Sequence, residues 1–371
     1  MARGAGSSTR IDGFTIANGR ADWGGGININ QNASPVIVNN IITGNQSHSD
    51  GGGIVCMAGC SPVIATNKIT NNGAMIRGGG ISTDTGSAII TNNVIACNSA
   101  ATGGGIACGD PDNSVASTEY LINNTIFGNA AVSGAGICLY SLSSAHVSNN
   151  IVAYNTSGIR KESGTGAPVL KKNDVYSNVW SSYSGLSAGA TDIASNPSLA
   201  SSTYGQVHIQ PTSPCKDTGD NTEVVSGYAD MDNQTRIQNT TVDIGADESD
   251  GTTWTVTPAT VRVTTTGNDT NNGSAWDNAH AKRTIQAAVS AAAATGGEVW
   301  VKAGTYTGPV YLTDRVYIYG GFAGTESSKS QRNWTTNVTI IDGGSATSAA
   351  EAARSITTSW PTTARAASAG T

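Results

Sequence analysis

The feature that most constrains this chain is an internal repeat. Gly-Gly-Gly-Ile opens at Gly24, Gly51, Gly78 and Gly103, a degenerate Gly-Ala-Gly-Ile at Gly134 and a Gly-Ile stub at Gly158. Successive starts lie mostly 24 to 27 residues apart, with one longer interval between Gly103 and Gly134. Each unit then carries two asparagine positions. The first column is Asn40, Asn67, Asn93, Asn124, Asn150 and Asn173; the second, five residues on, is Asn45, Asn72, Asn98, Asn129, Asn155 and Asn178. Apolar residues recur between the two (Ile42, Ile69, Ile95, Ile126, Val152, Val175) and before the first (Ile37, Ile64, Ile90, Leu121, Val147, Leu170).

Short β-branched runs cut by Gly and Asn read as strands and turns rather than helices. A unit of this length cannot bury a face alone, whereas stacked units share columns of Ile and Val at about 4.8 Å per coil. The expectation is an all-β, right-handed parallel β-helix, a solenoid with both apolar columns buried and vertically aligned. Asn suits its corners because it tolerates left-handed backbone, and its amide can bond the Asn of the next coil. The Asn columns are therefore read as architecture, and the glycine runs as turns rather than phosphate cradles. After each run, Ile27, Ile54, Ile81, Ile106, Ile137 and Ile159 are expected to point inward, with Ile29, Cys56, Thr83, Cys108 and Leu139 two positions on.

Composition agrees with this reading. Charged residues make up 12% of the chain, against 46 glycines and only three phenylalanines. The net charge of −6 offers no basic face for nucleic acid. No apolar run approaches the length of a membrane span, and the opening MARGAGSSTR lacks the apolar core of a signal peptide. Six cysteines leave two options for the nearest pair, Cys56 and Cys60: a bridge across a turn, or small core side chains. Cys56 and Cys108, two coils apart, are too distant to bond to each other.

IDGFTIANG at 11–19, the GGGI…SPVI…NN units and KNDVYSN at 172–178 resemble the bacterial right-handed β-helix repeat proteins. These form the polymorphic-outer-membrane-like branch of the pectin-lyase-like superfamily. Residues 195–221 and 229–248 are similar to that family's closing section, terminal strand and cap. Residues 264–344 resemble instead its beginning: a polar loop, one amphipathic helix with Ile285, Val289 and Ala292 on one face, a Gly296-Gly297 stop, then the first coil. The order is thus inverted, with the amino-terminal cap placed after the coils. The organisation expected is coils and closing section at 1–248, a linker at 249–263, cap helix and first-coil strands at 264–348, and a tail at 349–371. Residues 11–26 are then an open end. The cap is expected to close it, within a chain or between chains, by stacking Ile341 near Ile11; two tandem modules cut across the second are the alternative.

Function is far less constrained. The resemblance implies an extracellular or cell-surface location and glycan contact along the strand face after each glycine run. Outward columns there are Asn28, Val55, Ser82, Ala107, Cys138 and Arg160, and beside them Asn30, Met57, Asp84, Gly109, Tyr140 and Glu162. An insertion, 109–120, adds Asp110, Asp112 and Glu119. Asp84 and Asp110 on adjacent coils fall within the 5 to 9 Å that a glycosidase pair needs, with Arg160 or Lys161 as the base if the enzyme is a lyase, and Ca²⁺ then held by carboxylates. Asp112, Glu119, Tyr140 and Glu162 are candidate glycan contacts. The leading expectation is a non-catalytic module that presents this face; a polysaccharide lyase or glycoside hydrolase acting through Asp84, Asp110 and Arg160 is the alternative. The four histidines, His48, His146, His208 and His280, are scattered and form no metal cluster by spacing, so no cofactor is expected. Self-association through the coil ends remains open.

Overall fold

The computed structural model describes residues 2–343 apart from 4–5, 58, 110–114, 202–204, 256, 294–295 and 314. The expected tail, 349–371, lies outside the described residues. Two compact units divide the chain after Thr257.

In the first unit each repeat makes one coil of a parallel β-helix. Four parallel sheets run along the stack. The first holds the strands after the glycine runs, from Ile27–Asn30 through Ile54–Cys56, Ile81–Thr83, Ile106–Cys108 and Ile137–Leu139 to Ile159–Lys161 and Tyr183–Ser184. The second runs from Arg10–Asp12 to Val169–Lys171, the third from Thr15–Ala17 to Asp174–Tyr176, and a narrower fourth from Arg20–Ala21 to Ala130–Ser133. Register follows the repeat: Ile37, Ile64, Ile90, Leu121, Val147 and Leu170 are successive partners, as are Ile42, Ile69, Ile95, Ile126, Val152 and Val175. All are fully buried except Leu170, which is half-buried in the last rung of its sheet. The inward residues of the first sheet are buried as expected, and the six cysteines are free thiols. The bridge considered for Cys56 and Cys60 is not formed.

The asparagine columns are hydrogen-bonded ladders. The main-chain N–H and side-chain amide of Asn93 both donate to Asn124 Oδ1, at 3.0 Å each, and Asn124 does the same to Asn150 Oδ1 at 2.9 and 3.0 Å. The second column repeats the arrangement from Asn45 to Asn178. Past Asn173 the first ladder ends on a carboxylate, since Asp192 Oδ1 accepts both bonds in place of a further Asn. The left-handed backbone falls one residue earlier than expected. Asn39, Thr66, Asn92, Asn123, Asn149 and Lys172 have φ between 54° and 58°, while the ladder residues that follow do not. The corner thus divides two tasks between neighbouring residues: one turns the backbone, the next is aimed inward to bond the coil above.

The glycine runs also divide their work. Gly51, Gly78 and Gly103 are left-handed, at φ 61° to 63°, a conformation that strains other residues. The next two glycines permit close approach: a Cβ on Gly52 would lie 2.5 Å from the Gly79 carbonyl oxygen, and one on Gly53 2.6 Å from that of Gly80.

Residues 195–249 do not continue the coil. They run back over the outer side of the third sheet, burying Val94, Ala96 and Phe127 with Val207 and Ala246, and Ile151 and Ala153 with Ile209, Cys215 and Ile244. Apart from the antiparallel pair Leu199–Ser201 and Gln206–Ile209, the described part holds no strand, so the terminal strand expected within 229–248 is replaced by an irregular return segment. Three of the left-handed corner asparagines hold it: Asn92 Nδ2 donates to the Ala229 carbonyl, Asn123 Nδ2 to that of Asp243, and Asn149 accepts from Asp220 N and donates to its carbonyl. Arg236 is buried and donates to the carbonyls of Asp243, Gly245 and Ala246.

The second unit begins with a strand, Ala259–Val263; the linker expected to reach residue 263 therefore stops at its start. That strand pairs in parallel with Gly297–Lys302, and this with Val316–Phe322; Gly304–Thr307 pairs with Thr339–Asp342. The helix Ile285–Ala293 buries the expected face, Ile285, Val289 and Ala292, against Val261, Val263, Val299 and Val301. No helix among the described residues is long and apolar enough to cross a membrane.

Candidate functional site

The outer side of the first sheet is built differently from the expectation. Its nearer column, Val55, Ser82, Ala107 and Cys138, is buried. The left-handed glycine opening each run folds the chain back onto it: a Cβ on Gly51 would sit 2.6 Å from Val55 Cβ, and one on Gly78 2.6 Å from Ser82 Cβ. Burial pushes the Cys138 thiol up to about 12, so it is no nucleophile at neutral pH. The repeat strands had a legible sign of this. IVC, IAC and ICL are apolar at every position, the pattern of a strand covered on both faces.

Beside the covered column stands an ionic cluster centred on Arg77, a residue that the sequence reading did not single out. Asp50, Arg77 and Thr102 precede three successive glycine runs and bridge one another in parallel. Arg77 grips Asp50 with two bonds, Nε to Oδ1 at 3.1 Å and one terminal nitrogen to Oδ2 at 2.6 Å. Its other terminal nitrogen lies 3.5 Å from Asp84 Oδ1, and the guanidinium carbon sits 5.5 Å from the centre of the Tyr140 ring. Burial works against the Arg77 charge, but the Asp50 carboxylate outweighs it and raises the pKa further. Burial also pushes the Tyr140 phenol up.

The other expected site residues are dispersed. Arg160 stands three rungs from Ser82 in the first sheet, about 14 Å at the spacing of a parallel stack. It pairs with its strand neighbour Glu162, Nε to Oε1 at 2.9 Å, which raises its pKa. Lys161 turns its ammonium to the carbonyls of Ser141, Glu162 and Gly164. Asp84 and Arg160 are thus not brought together. Glu119 is not on the face at all. It is buried, accepts 3.1 Å bonds from the hydroxyls of Thr83, Ser117 and Ser143, and is raised in pKa by burial. Asp110 and Asp112 lie outside the described residues; the insertion's flanks are tied down by Gly109 N to the Thr83 carbonyl and by a bridge from Ser117 to Ser143.

One grouping with metal-ligand chemistry does form, against the expectation from spacing. The return segment brings His208, Asp232 and Asp247 together.

Stacked parallel rungs, paired residue for residue over the repeats, define the first unit as a parallel β-helix. No family model matches this chain, and no curated protein or solved structure matches it either.

Proposed function

We propose that the protein is an extracellular or cell-surface β-helix module of the pectin-lyase-like kind, its repeats of the polymorphic-outer-membrane type, presenting the outer edge of its first sheet to glycans without chemistry of its own. The contact residues are Asp84, Tyr140, Arg160 and Glu162, with Arg77 behind them. The observation that carries this reading is the pairing of the charges on that edge. Arg77 is held between Asp50 and Asp84, and Arg160 by Glu162. A glycosidase acid must be protonated at working pH, which a neighbouring guanidinium disfavours, and a lyase base must give up its proton, which a paired carboxylate opposes. Fixed, paired charges flanking one aromatic ring suit recognition of sugar hydroxyls better than proton transfer.

The test is a screen of the full chain against a polysaccharide panel, scoring binding together with new reducing ends and unsaturated products. Retention of one glycan class without product, weakened several-fold in Tyr140→Ala, is expected. Product formation lost in Asp84→Asn would instead establish a polysaccharide-degrading enzyme, with any Ca²⁺ requirement marking a lyase.

A further inference from the structure

The return segment holds a second constellation, beside the third sheet. His208 projects from the strand Gln206–Ile209, Asp232 from the turn after Asp230, and Asp247 from the buried stretch 242–249. One imidazole nitrogen and one oxygen from each carboxylate all lie within 4.8 Å of one another. His208 Nε2 is 2.9 Å from Asp232 Oδ2, while Nδ1 is buried with no hydrogen-bond partner.

The surroundings fix these three side chains. The Trp254 ring stacks on the imidazole, with centroids 3.7 Å apart and planes 21° from parallel. Trp254 is itself clamped by both ends of the Gln210 amide, Nε2 to its carbonyl and Oε1 from its N–H. Asp247 accepts from the Ile209 N–H at 2.7 Å through Oδ2. A third carboxylate, Asp230, is fully occupied by the main-chain N–H groups of Asp232, Gln234 and Glu248, so it shapes the turn and adds negative charge without being a ligand. The nearby cation Arg236 is given to carbonyls and stands 3.7 Å from Glu248. A cavity of about 240 Å³, lined in part by His208, Asp232, Met231 and Lys68, opens beside the group, with room for water to complete a coordination shell.

We propose that His208, Asp232 and Asp247 bind a divalent transition-metal ion of the Zn²⁺ class and that this ion pins three separate stretches of the return segment to one point. Mixed imidazole and carboxylate ligation with an open position suits Zn²⁺ better than the all-oxygen shells of Ca²⁺ or Mg²⁺. Bonds near 2.05 Å set ligand separations of about 3.3 Å in a tetrahedral shell, so small side-chain rotations bring the three atoms onto the ion.

The experiment is a calorimetric titration of the reduced full chain with Zn²⁺, followed in parallel by Trp fluorescence and thermal melting. One saturable site is expected, with a change in emission from the indole stacked on His208 and a rise in Tm. Asp232→Asn, chosen because Asp232 is the most exposed ligand, should weaken this site at least tenfold while leaving the metal-free Tm unchanged. If Asp232→Asn does not fold, His208→Gln serves the same purpose. The absence of a saturable site below millimolar Zn²⁺, or a site unaltered in the folded variant, overturns the proposal. The latter would place the ion elsewhere in the chain, at the free thiols or at an exposed His–Asp pair.

Discussion

The coils and the segment that runs back over them solve one problem in opposite ways. Both must satisfy buried polar groups. In the coils the answer is like on like: each Asn bonds the Asn one rung along, and the same geometry repeats until Asp192 ends the first ladder. In the return segment nothing repeats. Arg236 fastens three carbonyls, Asp230 three N–H groups, and Asp243 the N–H groups of Asp217 and Ser249. A periodic chain can reuse one residue type for every bond, because each coil presents the same groups. An aperiodic one needs charged side chains that reach several groups at once.

Substitutions should separate the two. The largest loss is expected for Asn124→Ala, in the middle of the first ladder. It strips the acceptor from the Asn93 N–H and side chain and removes the donor to the Ile90 carbonyl. At about 1–3 kcal/mol for each unsatisfied buried group, the expected loss is about 3–6 kcal/mol in chemical denaturation. A loss under about 1 kcal/mol would show that the ladder follows the fold rather than holding it. Ile90→Ala, which leaves a cavity in the adjacent apolar column, should cost about 2–5 kcal/mol and act on the same cooperative transition.

Arg236→Met should behave differently. It abandons three carbonyls in the return segment, for about 2–4 kcal/mol, but the coils keep their ladders. Hydrogen exchange should then accelerate over 205–249 while the amides of 89–96 and 120–127 stay protected. Uniform acceleration throughout would mean that coils and return segment unfold as one.

Acid gives a smaller and more specific contrast. Burial raises Asp174, at the edge of the third sheet, to about 6, against the opposing effect of its bond from the Cys215 thiol. A raised carboxyl contributes stability that is fully present below its unfolded value near 4 and lost as pH rises through about 6. The first unit should therefore weaken between pH 4 and 7, and Asp174→Asn should flatten that slope by about 2–3 kcal/mol. In the second unit Asp269 and Glu326 are lowered instead, because hydrogen bonds from neighbouring N–H groups outweigh their burial. Their contribution is present above about 4 and lost on acidification. Melts of the whole chain that shift in one direction only across pH 3–8 would contradict this opposition. The smallest effect belongs to Asp84→Asn, a partly exposed residue at the edge of the Arg77 cluster. It should alter stability by less than about 1 kcal/mol while changing glycan retention.

How much was legible follows the same division. The columns, their inward direction and their register could be read directly, because a 24- to 27-residue period leaves Ile and Asn one vertical neighbour each. The helix face at Ile285, Val289 and Ala292 could be read from its spacing. The candidate site could be read only in part. Asp84 and Tyr140 do meet, but through Arg77, whose place before a glycine run gave no sign that it would reach both. Arg160 keeps its expected column but stands three rungs from Ser82, and Glu119 was misplaced because a list of outward positions does not say which side chains a corner swallows.

The sequence alone therefore determined the solenoid: strand after strand with the same neighbours admits one stacking, and Gly and Asn mark where it turns. Only the tertiary structure decided what lies over it. The return segment has no period, so its partners are set by which outer strands remain apolar. The strands containing Val94, Phe127 and Ile151 attract it, and the corner residues Asn92, Asn123 and Asn149 fix its path. That path, 137 residues in sequence from Asn92 to Ala229, is what gathers His208, Asp232 and Asp247 at one point, and no local spacing encodes it.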